Sequence, residues 1–202
     1  MAKSWHKVVV LGSKSVGKSS FITRKLCGVF EETLNTKTKS RDFFETNHKY
    51  KEETYNFRIY ESNSQREVSE MPMVFLDARA AVIIYSCKSG ESCREVADWI
   101  NQVRANFHNE MSIPIVICES NIDTQDKKET DFSKVEKQYG ELPEVEGCVQ
   151  TSAKLGTGID EAFDHLAEAI KRREYRRRPM TPPEPSPDPI PCPYLCSCFF
   201  FF

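Results

Sequence analysis

The sequence predicts an α/β fold, in which a mostly parallel six-stranded sheet is covered by helices on both faces. Strand-like and helix-like segments alternate through residues 6–173, as they do where helical crossovers join parallel strands. Several strand candidates, such as HKVVVL and AAVIIYS, are short, rich in β-branched residues and apolar on both faces. Strands of this kind are buried between two layers of helices.

Each element is assigned from its own pattern. The strand candidates are apolar or alternating runs, and the helix candidates carry apolar residues at helical spacing, as Val96, Ile100 and Val103 do. The predicted strands are residues 6–11, 41–48, 54–60, 80–86, 113–119 and 147–151. The predicted helices are residues 18–27, 91–107, 131–139 and 158–173.

The composition is that of a soluble globular protein with one domain and a tail. Charged residues make up 29% and hydrophobic residues 39% of the 202 residues. The net charge of −2 provides no basic field for nucleic acid. No apolar run approaches the roughly 18 residues of a membrane span, and a first strand at about His6 leaves no room for a signal peptide. We therefore expect a cytoplasmic protein.

The chain divides into a domain at 1–173 and a tail at 174–202. The segment KRREYRRR at 171–178 holds six basic residues in eight, and the segment at 179–193 holds eight prolines. Such a sequence predicts a disordered, extended spacer. Five of the eight cysteines are scattered through the domain, and we expect them to be buried free thiols. They are Cys27, Cys87, Cys93, Cys118 and Cys148.

The sequence GSKSVGKS at 12–19 fits the phosphate-binding pattern G-x-x-x-x-G-K-[ST]. It lies between an apolar strand candidate and a helix candidate, as this chemistry requires. The glycines let backbone N–H groups cradle phosphate, the lysine adds positive charge, and the serine hydroxyl can ligate Mg²⁺. A chance match in a Gly/Ser-rich turn is the alternative. The candidate nucleotide-binding residues are Gly12, Ser13, Lys14, Ser15, Val16, Gly17, Lys18, Ser19 and Ser20.

Residues 6–172 resemble a small GTPase of the Ras superfamily, closest to the Rab branch. The sequence AAVIIYS, followed by a serine-capped helix with Trp99, is similar to the fourth strand and third helix of Rab proteins. The sequence TSAKLGTG at 151–158 is similar to the family's guanine-contacting SAK loop, and ICESNID at 117–123 aligns with its N-K-x-D loop. The resemblance implies a P-loop NTPase small G domain that binds GTP or GDP with Mg²⁺.

The resemblance also implies the residues of a guanine site. Asp123 would pair with the N1 and the exocyclic amine of guanine, and Phe30 would pack edge-on against the base. The SAK loop residues Ser152, Ala153 and Lys154 would lie against the base. A solvated loop acid is the alternative for Asp123, and an ordinary core residue is the alternative for Phe30.

The guanine loop departs from the family pattern at two positions. Ser120 replaces the asparagine, and Asn121 replaces the lysine. We therefore expect this loop to hold the base less well than the family's loop does.

The end of the third strand aligns with the family's metal and water-positioning motif. The sequence YESNSQR at 60–66 stands where the family has W-D-T-A-G-Q-E. Glu61 then takes the place of the aspartate that supports Mg²⁺, Ser64 that of the glycine at the γ-phosphate, and Gln65 that of the water-orienting glutamine. Because serine is more restricted than glycine in φ and ψ, we expect slow or absent hydrolysis. A surface glutamine on a mobile loop is the alternative for Gln65.

The resemblance implies two hydroxyl ligands and one carboxylate at the metal. Ser19 and Glu61 are two of these groups, and spacing favours Thr38 as the third, with Thr36 as its rival. The candidate catalytic residues are Gln65 and Lys18.

Three cysteines near the C-terminus, Cys192, Cys196 and Cys198, resemble a Rab C-x-C ending, but four phenylalanines follow them. S-palmitoylation is therefore expected rather than prenylation, and with KRREYRRR it would place a monomer on the cytosolic face of a membrane. A zinc site and an unmodified tail are the alternatives.

The sequence supports two classes of function. The first is a weak Rab-like GTPase that regulates membrane traffic. The alternative is an inactive pseudo-GTPase that acts as a nucleotide-bound scaffold or interaction module. An ATP-binding P-loop kinase is a third possibility, which the SAK-like loop disfavours.

Overall fold

The computed structural model describes residues 4–30, 43–62, 71–107 and 112–177. A six-stranded sheet with the order β2-β3-β1-β4-β5-β6 forms its centre. Only the β2–β3 pair is antiparallel among its five strand pairs. The strands are β1 Trp5–Leu11, β2 Phe44–Tyr50, β3 Glu53–Glu61, β4 Ala78–Ser86, β5 Ile115–Ser120 and β6 Val145–Gln150. The helices are α1 Lys18–Cys27, α2 Met71–Phe75, α3 Gly90–Arg94, α4 Val96–Asn106, α5 Phe132–Tyr139 and α6 Ile159–Arg177. The predicted α/β fold is confirmed.

The core consists of two clusters, one on each face of the sheet. One cluster joins the sheet to α1 and α6, and there Phe163 stacks on Phe21 and packs edge-on against Phe57. The other joins the sheet to α2, α4 and α5. Since both faces are covered, the central strands β1 and β4 are apolar almost throughout.

The helices differ from the prediction in three places, beyond shifts of one residue at their ends. The predicted helix at 91–107 is two helices, α3 and α4, which meet at Glu95. The short helix α2 was not predicted, because five residues give too little periodicity to detect. The last helix continues to Arg177, beyond the predicted end at 173. Its basic residues are good helix formers, and several are paired with carboxylates of the domain.

The five scattered cysteines are free thiols, but they are not all buried. Cys87 and Cys118 are buried, whereas Cys27 at the end of α1 is exposed, so the prediction of burial is wrong there. Burial raises the pKa of the Cys118 thiol, and it raises that of Cys148 to about 11. These two thiols are therefore protonated and unreactive at neutral pH.

The loops that carry the candidate site residues lie at one edge of the sheet. The parallel strands β1, β4, β5 and β6 all end there, and loops at the carboxyl ends of such strands are where α/β folds bind ligands. Within the described residues, no helix is long and apolar enough to cross a membrane.

Candidate functional site

The backbone of the loop between β1 and α1 is held in conformations that favour glycine. Gly12 has a φ of 140°, and a Cβ atom there would lie 2.2 Å from the carbonyl oxygen of Ile84 on β4. Gly17, with a φ of 98°, is the N-cap of α1. Ser15 is left-handed as well, with a φ of 63°. The two motif glycines therefore let the loop pass closely beside β4 and turn directly into the helix.

Lys18 spans this loop from the inside. Its side chain is buried, and its ammonium donates to the carbonyl oxygens of Gly12 at 2.9 Å and of Ser13 at 2.7 Å. Burial lowers the pKa of Lys18, while the Glu61 carboxylate acts in the opposite direction. A charge is thus fixed within the loop, where phosphate oxygens would accept from it.

Ser19 and Glu61 meet beside this lysine. The Ser19 hydroxyl donates to Oε1 of Glu61 at 2.6 Å, because β3 lies parallel to β1 with Glu61 level with Val10. Hydroxyl and carboxylate oxygens are the ligands that Mg²⁺ prefers, so the pair fits such an ion. Among the described residues, no three histidine, cysteine or carboxylate side chains gather into a metal site. Other ligands of Mg²⁺ here would therefore include phosphate oxygens and water.

Three predicted residues of this end lie outside the described residues: Thr38, Ser64 and Gln65. The rival threonine, Thr36, also lies outside them. Their roles remain predictions.

A pocket of about 490 Å³ opens next to the phosphate-binding loop. It is lined by five separate segments of the chain, which are the start of α1, the residue Phe30 and the loops after β4, β5 and β6. The predicted residues that line it are Gly17, Ser20, Phe30, Asp123, Ala153 and Lys154.

Ser152 is predicted to contact the base, but it lies fully buried behind Asp123. Its hydroxyl donates to Oδ1 of Asp123 at 2.6 Å and accepts from the backbone N–H of Leu155 at 3.0 Å. Ser152 therefore orients the carboxylate that faces the pocket, rather than lining the pocket itself. Asp123 is not a freely solvated loop acid.

The substituted guanine loop is still tied to the phosphate-binding loop. The Ser120 hydroxyl is buried and donates to the carbonyl oxygen of Val16 at 2.5 Å. Asn121 is left-handed, with a φ of 62°, and its Oδ1 accepts from the Ser86 hydroxyl at 3.0 Å. Short polar side chains thus connect β4, β5 and the phosphate-binding loop at the wall of the pocket.

Sequence reasoning missed two acidic residues of this edge. Glu95, at the junction of α3 and α4, accepts a hydrogen bond from the Ser13 hydroxyl. Glu119 is buried near the end of β5, directly before Ser120. A carboxylate at the end of an apolar strand is the same signal that singled out Glu61, and it would have found Glu119.

A phosphate-cradling loop with an internal lysine, beside a base-sized pocket, defines a nucleotide-binding protein of the P-loop class. Residues 7–172 match the sequence model of the Ras family. Since this match covers most of the chain, the chain belongs to the Ras family. It is a small GTPase of the Ras superfamily, and Ras-family GTPases bind GTP or GDP together with Mg²⁺.

Proposed function

We propose that this chain is a Rab-like small GTPase that binds GTP and GDP, hydrolyses GTP slowly and regulates membrane traffic. One observation carries the proposal: the phosphate-binding loop and the base pocket are both formed, and the bond from Ser120 to Val16 joins them. A nucleotide would therefore meet one continuous surface. The serine cap at the start of α3, where Ser89 accepts from the N–H of Ser92, supports the likeness to Rab proteins.

The residues of the phosphate end have separate roles in this proposal. Lys18 neutralises the terminal phosphates, while Ser19, Thr38 and Glu61 hold the metal ion. Mg²⁺ supplies charge stabilisation for phosphoryl transfer when it is bound. Gln65 orients the attacking water.

Slow hydrolysis follows from two substitutions. Glu61 is one methylene longer than the family's aspartate, so its carboxylate reaches the Ser19 hydroxyl directly. Ser64 replaces a glycine that has to change conformation, and a serine backbone is more restricted.

The Ser19–Glu61 hydrogen bond also favours a second candidate function, a pseudo-GTPase that binds nucleotide without hydrolysing it. The Ser19 oxygen can ligate a metal ion while its proton is donated to Oε1 of Glu61, which leaves Oε2 of that carboxylate for the ion. If the longer side chain holds the ion away from the position that hydrolysis requires, the protein would act as a nucleotide-bound scaffold.

The basic end of α6 supports a location on the cytosolic face of a membrane. Lys171 pairs with Glu53, and Arg172 pairs with Glu146, so these two basic residues fix the helix to the domain. Further arginines and Cys192, Cys196 and Cys198 follow in the chain. A basic segment and acyl groups are the two signals that stable membrane anchoring requires.

The first experiment identifies the nucleotide that the protein carries. The full-length chain is purified in Mg²⁺ and denatured, and the released nucleotide is identified by chromatography. Stoichiometric GDP is expected. Retained GTP would indicate the scaffold, and the absence of any nucleotide, with no uptake on addition, would contradict nucleotide binding itself.

Timed turnover of GTP then separates the enzyme from the scaffold. We expect turnover above the buffer rate, and its loss in Lys18→Asn and Gln65→Leu. Lys137→Asn is the matched control, because Lys137 is exposed on α5 far from the site. A wild-type rate equal to that of buffer would leave the scaffold as the function.

Mass spectrometry of the purified chain tests acylation of the terminal cysteines. An unmodified tail, in a chain that does not bind acidic vesicles, would refute membrane anchoring.

A further inference from the structure

A carboxylate is buried near the end of β5, one residue before Ser120 in the wall of the base pocket. Glu119 lies on β5, next to its last residue, and only 1% of its surface is exposed. The whole of β5 is buried. Burying a carboxylate is costly unless every oxygen is hydrogen-bonded, so the contacts of Glu119 define what it does.

The oxygens of Glu119 connect β5 to the two loops that carry Asp123 and Ser152. Oε1 accepts from the hydroxyl of Thr130 at 2.6 Å, just before α5. Oε2 accepts from the amide of Gln150 at 2.7 Å, at the end of β6. The backbone carbonyl oxygen accepts from both the N–H of Thr151 at 2.7 Å and its hydroxyl at 3.0 Å. One residue thus joins the loop after β5 to the end of β6, where Thr151 lines the pocket.

These contacts continue to Asp123, the carboxylate that lines the base pocket. Thr151 precedes Ser152, and the Ser152 hydroxyl holds Oδ1 of Asp123. Asp123 itself lies four residues after Glu119, in the loop that follows β5. The relative position of Ser152 and Asp123 therefore depends on how the end of β6 is attached to the end of β5. The strand pairing and the bonds to the backbone carbonyl of Glu119 provide part of that attachment, and the Glu119 carboxylate adds the bond to Gln150.

We propose that Glu119 is a positioning residue that sets the base selectivity of the site, by holding Ser152 against Asp123. This inference rests on the proposed binding of guanine nucleotides. Selectivity is affected rather than overall affinity, because the hydrogen bonds that hold Lys18 and Ser19 at the phosphate end do not involve the Glu119 carboxylate. The bond from Ser120 to Val16 belongs to the neighbouring residue and remains when that carboxylate is replaced.

The test compares GDP with IDP, which lacks the exocyclic amine from which the Asp123 carboxylate would accept a hydrogen bond. Dissociation constants for both nucleotides are measured by calorimetry on the full-length, nucleotide-free chain. In Glu119→Met both acceptors are lost, so the half-buried Thr130 hydroxyl and the amide of the exposed Gln150 lose their shared partner. In Glu119→Gln the amide can accept from Gln150 and donate to the oxygen of Thr130, so the contacts survive without the charge.

We expect the wild type to bind GDP at least about tenfold more tightly than IDP, and Glu119→Met to lower this ratio about 5- to 10-fold. The Kd for IDP should stay within about threefold, and Glu119→Gln should keep most of the selectivity. Glu144→Met is the matched control. Glu144 is also buried, but it precedes β6 at the opposite edge and accepts from Arg104 at 2.5 Å. This control should leave the ratio unchanged.

Several results would overturn the inference. If Glu119→Met weakens GDP and IDP equally, Glu119 has only a structural role. If the wild type binds both nucleotides equally well, base selectivity is absent while nucleotide binding stands. If it binds neither, the proposed function fails too. Should Glu119→Met not fold, Thr130→Val and Gln150→Met remove the two donors singly, and unchanged selectivity in both would overturn the inference.

Discussion

The phosphate end and the base end of this site are built in different ways. At the phosphate end, one continuous stretch from Gly12 to Ser19 supplies both the backbone conformation and the charge. At the base end, side chains from α1 and the loops after β5 and β6 meet in one pocket. The first end depends on backbone that only glycine adopts easily, and the second depends on hydrogen bonds between short polar side chains. A substitution is therefore tolerated better at the base end, where another donor can take over.

The largest effect is expected at the centre of the phosphate end. Lys18→Met removes a buried charge and both of its hydrogen bonds to the loop. We expect GDP affinity to fall at least about 100-fold, since hydrogen bonds from charged groups are worth about 1.5–3 kcal/mol each. Titration of the nucleotide-free chain with a fluorescent GDP analogue measures this. A loss of less than tenfold would contradict the role of Lys18.

The backbone of the phosphate end is tested by Gly12→Ala. The new Cβ would meet the carbonyl oxygen of Ile84 at 2.2 Å, and neither backbone can move easily. We expect a loss of at least about 3 kcal/mol in the free energy of unfolding, measured in urea.

Gly28→Ala is the matched control for that variant. Gly28 also has a positive φ, of 68°, but no atom lies within 4 Å of the site of its Cβ. Only the conformational strain of about 1–2 kcal/mol then applies. Equal losses in the two variants would show that the close approach to β4 does not matter.

The same difference explains what could be predicted from the sequence. The phosphate-binding loop was predictable because its residues are contiguous and its chemistry requires their order. The role of Ser120 was not, since its contact with Val16 joins residues far apart in the chain. The replacement of asparagine by Ser120 predicts a guanine loop that holds the base less well. The structure shows that the Ser120 hydroxyl still connects this loop to the phosphate-binding loop. Likewise, the break at Glu95 leaves the apolar periodicity of 91–107 unchanged, so periodicity alone could not reveal it.

A smaller effect is expected at the base end. Ser120→Ala removes the hydroxyl that joins the guanine loop to Val16. One neutral hydrogen bond is worth about 1 kcal/mol, so GDP affinity should fall about fivefold. Ser133→Ala, on the exposed face of α5, is the control in the same fluorescence titration. A loss as large as that of Lys18→Met would remove the distinction between the two ends.

The smallest effect is expected outside both ends, where His48 joins β2 to α6. Its Nε2 lies 2.8 Å from Asp164, and its Nδ1 lies 2.8 Å from the ammonium of Lys25, which also donates to Asp160. Burial lowers the pKa of His48 below its ordinary value of 6.5, more than the hydrogen bond to Asp164 raises it. The unfolded chain therefore binds the proton more readily. The contribution of neutral His48 to the free energy of unfolding is fully present above pH 6.5, and it declines as the pH falls through 6.5 toward the lowered pKa.

His48→Gln separates this contribution from those of other groups. Glutamine can still accept from Lys25 and donate to Asp164, but it does not titrate. Unfolding in urea at pH 7.5 and at pH 5.5 should therefore show a smaller loss of stability on acidification in the variant than in the wild type. The pKa of His6 is also lowered by burial, so part of the loss remains in the variant, and His48→Gln combined with His6→Gln should remove more of it. Equal losses in wild type and His48→Gln would show that the pKa of His48 is the same in the folded and the unfolded chain, and the lowered pKa would be wrong.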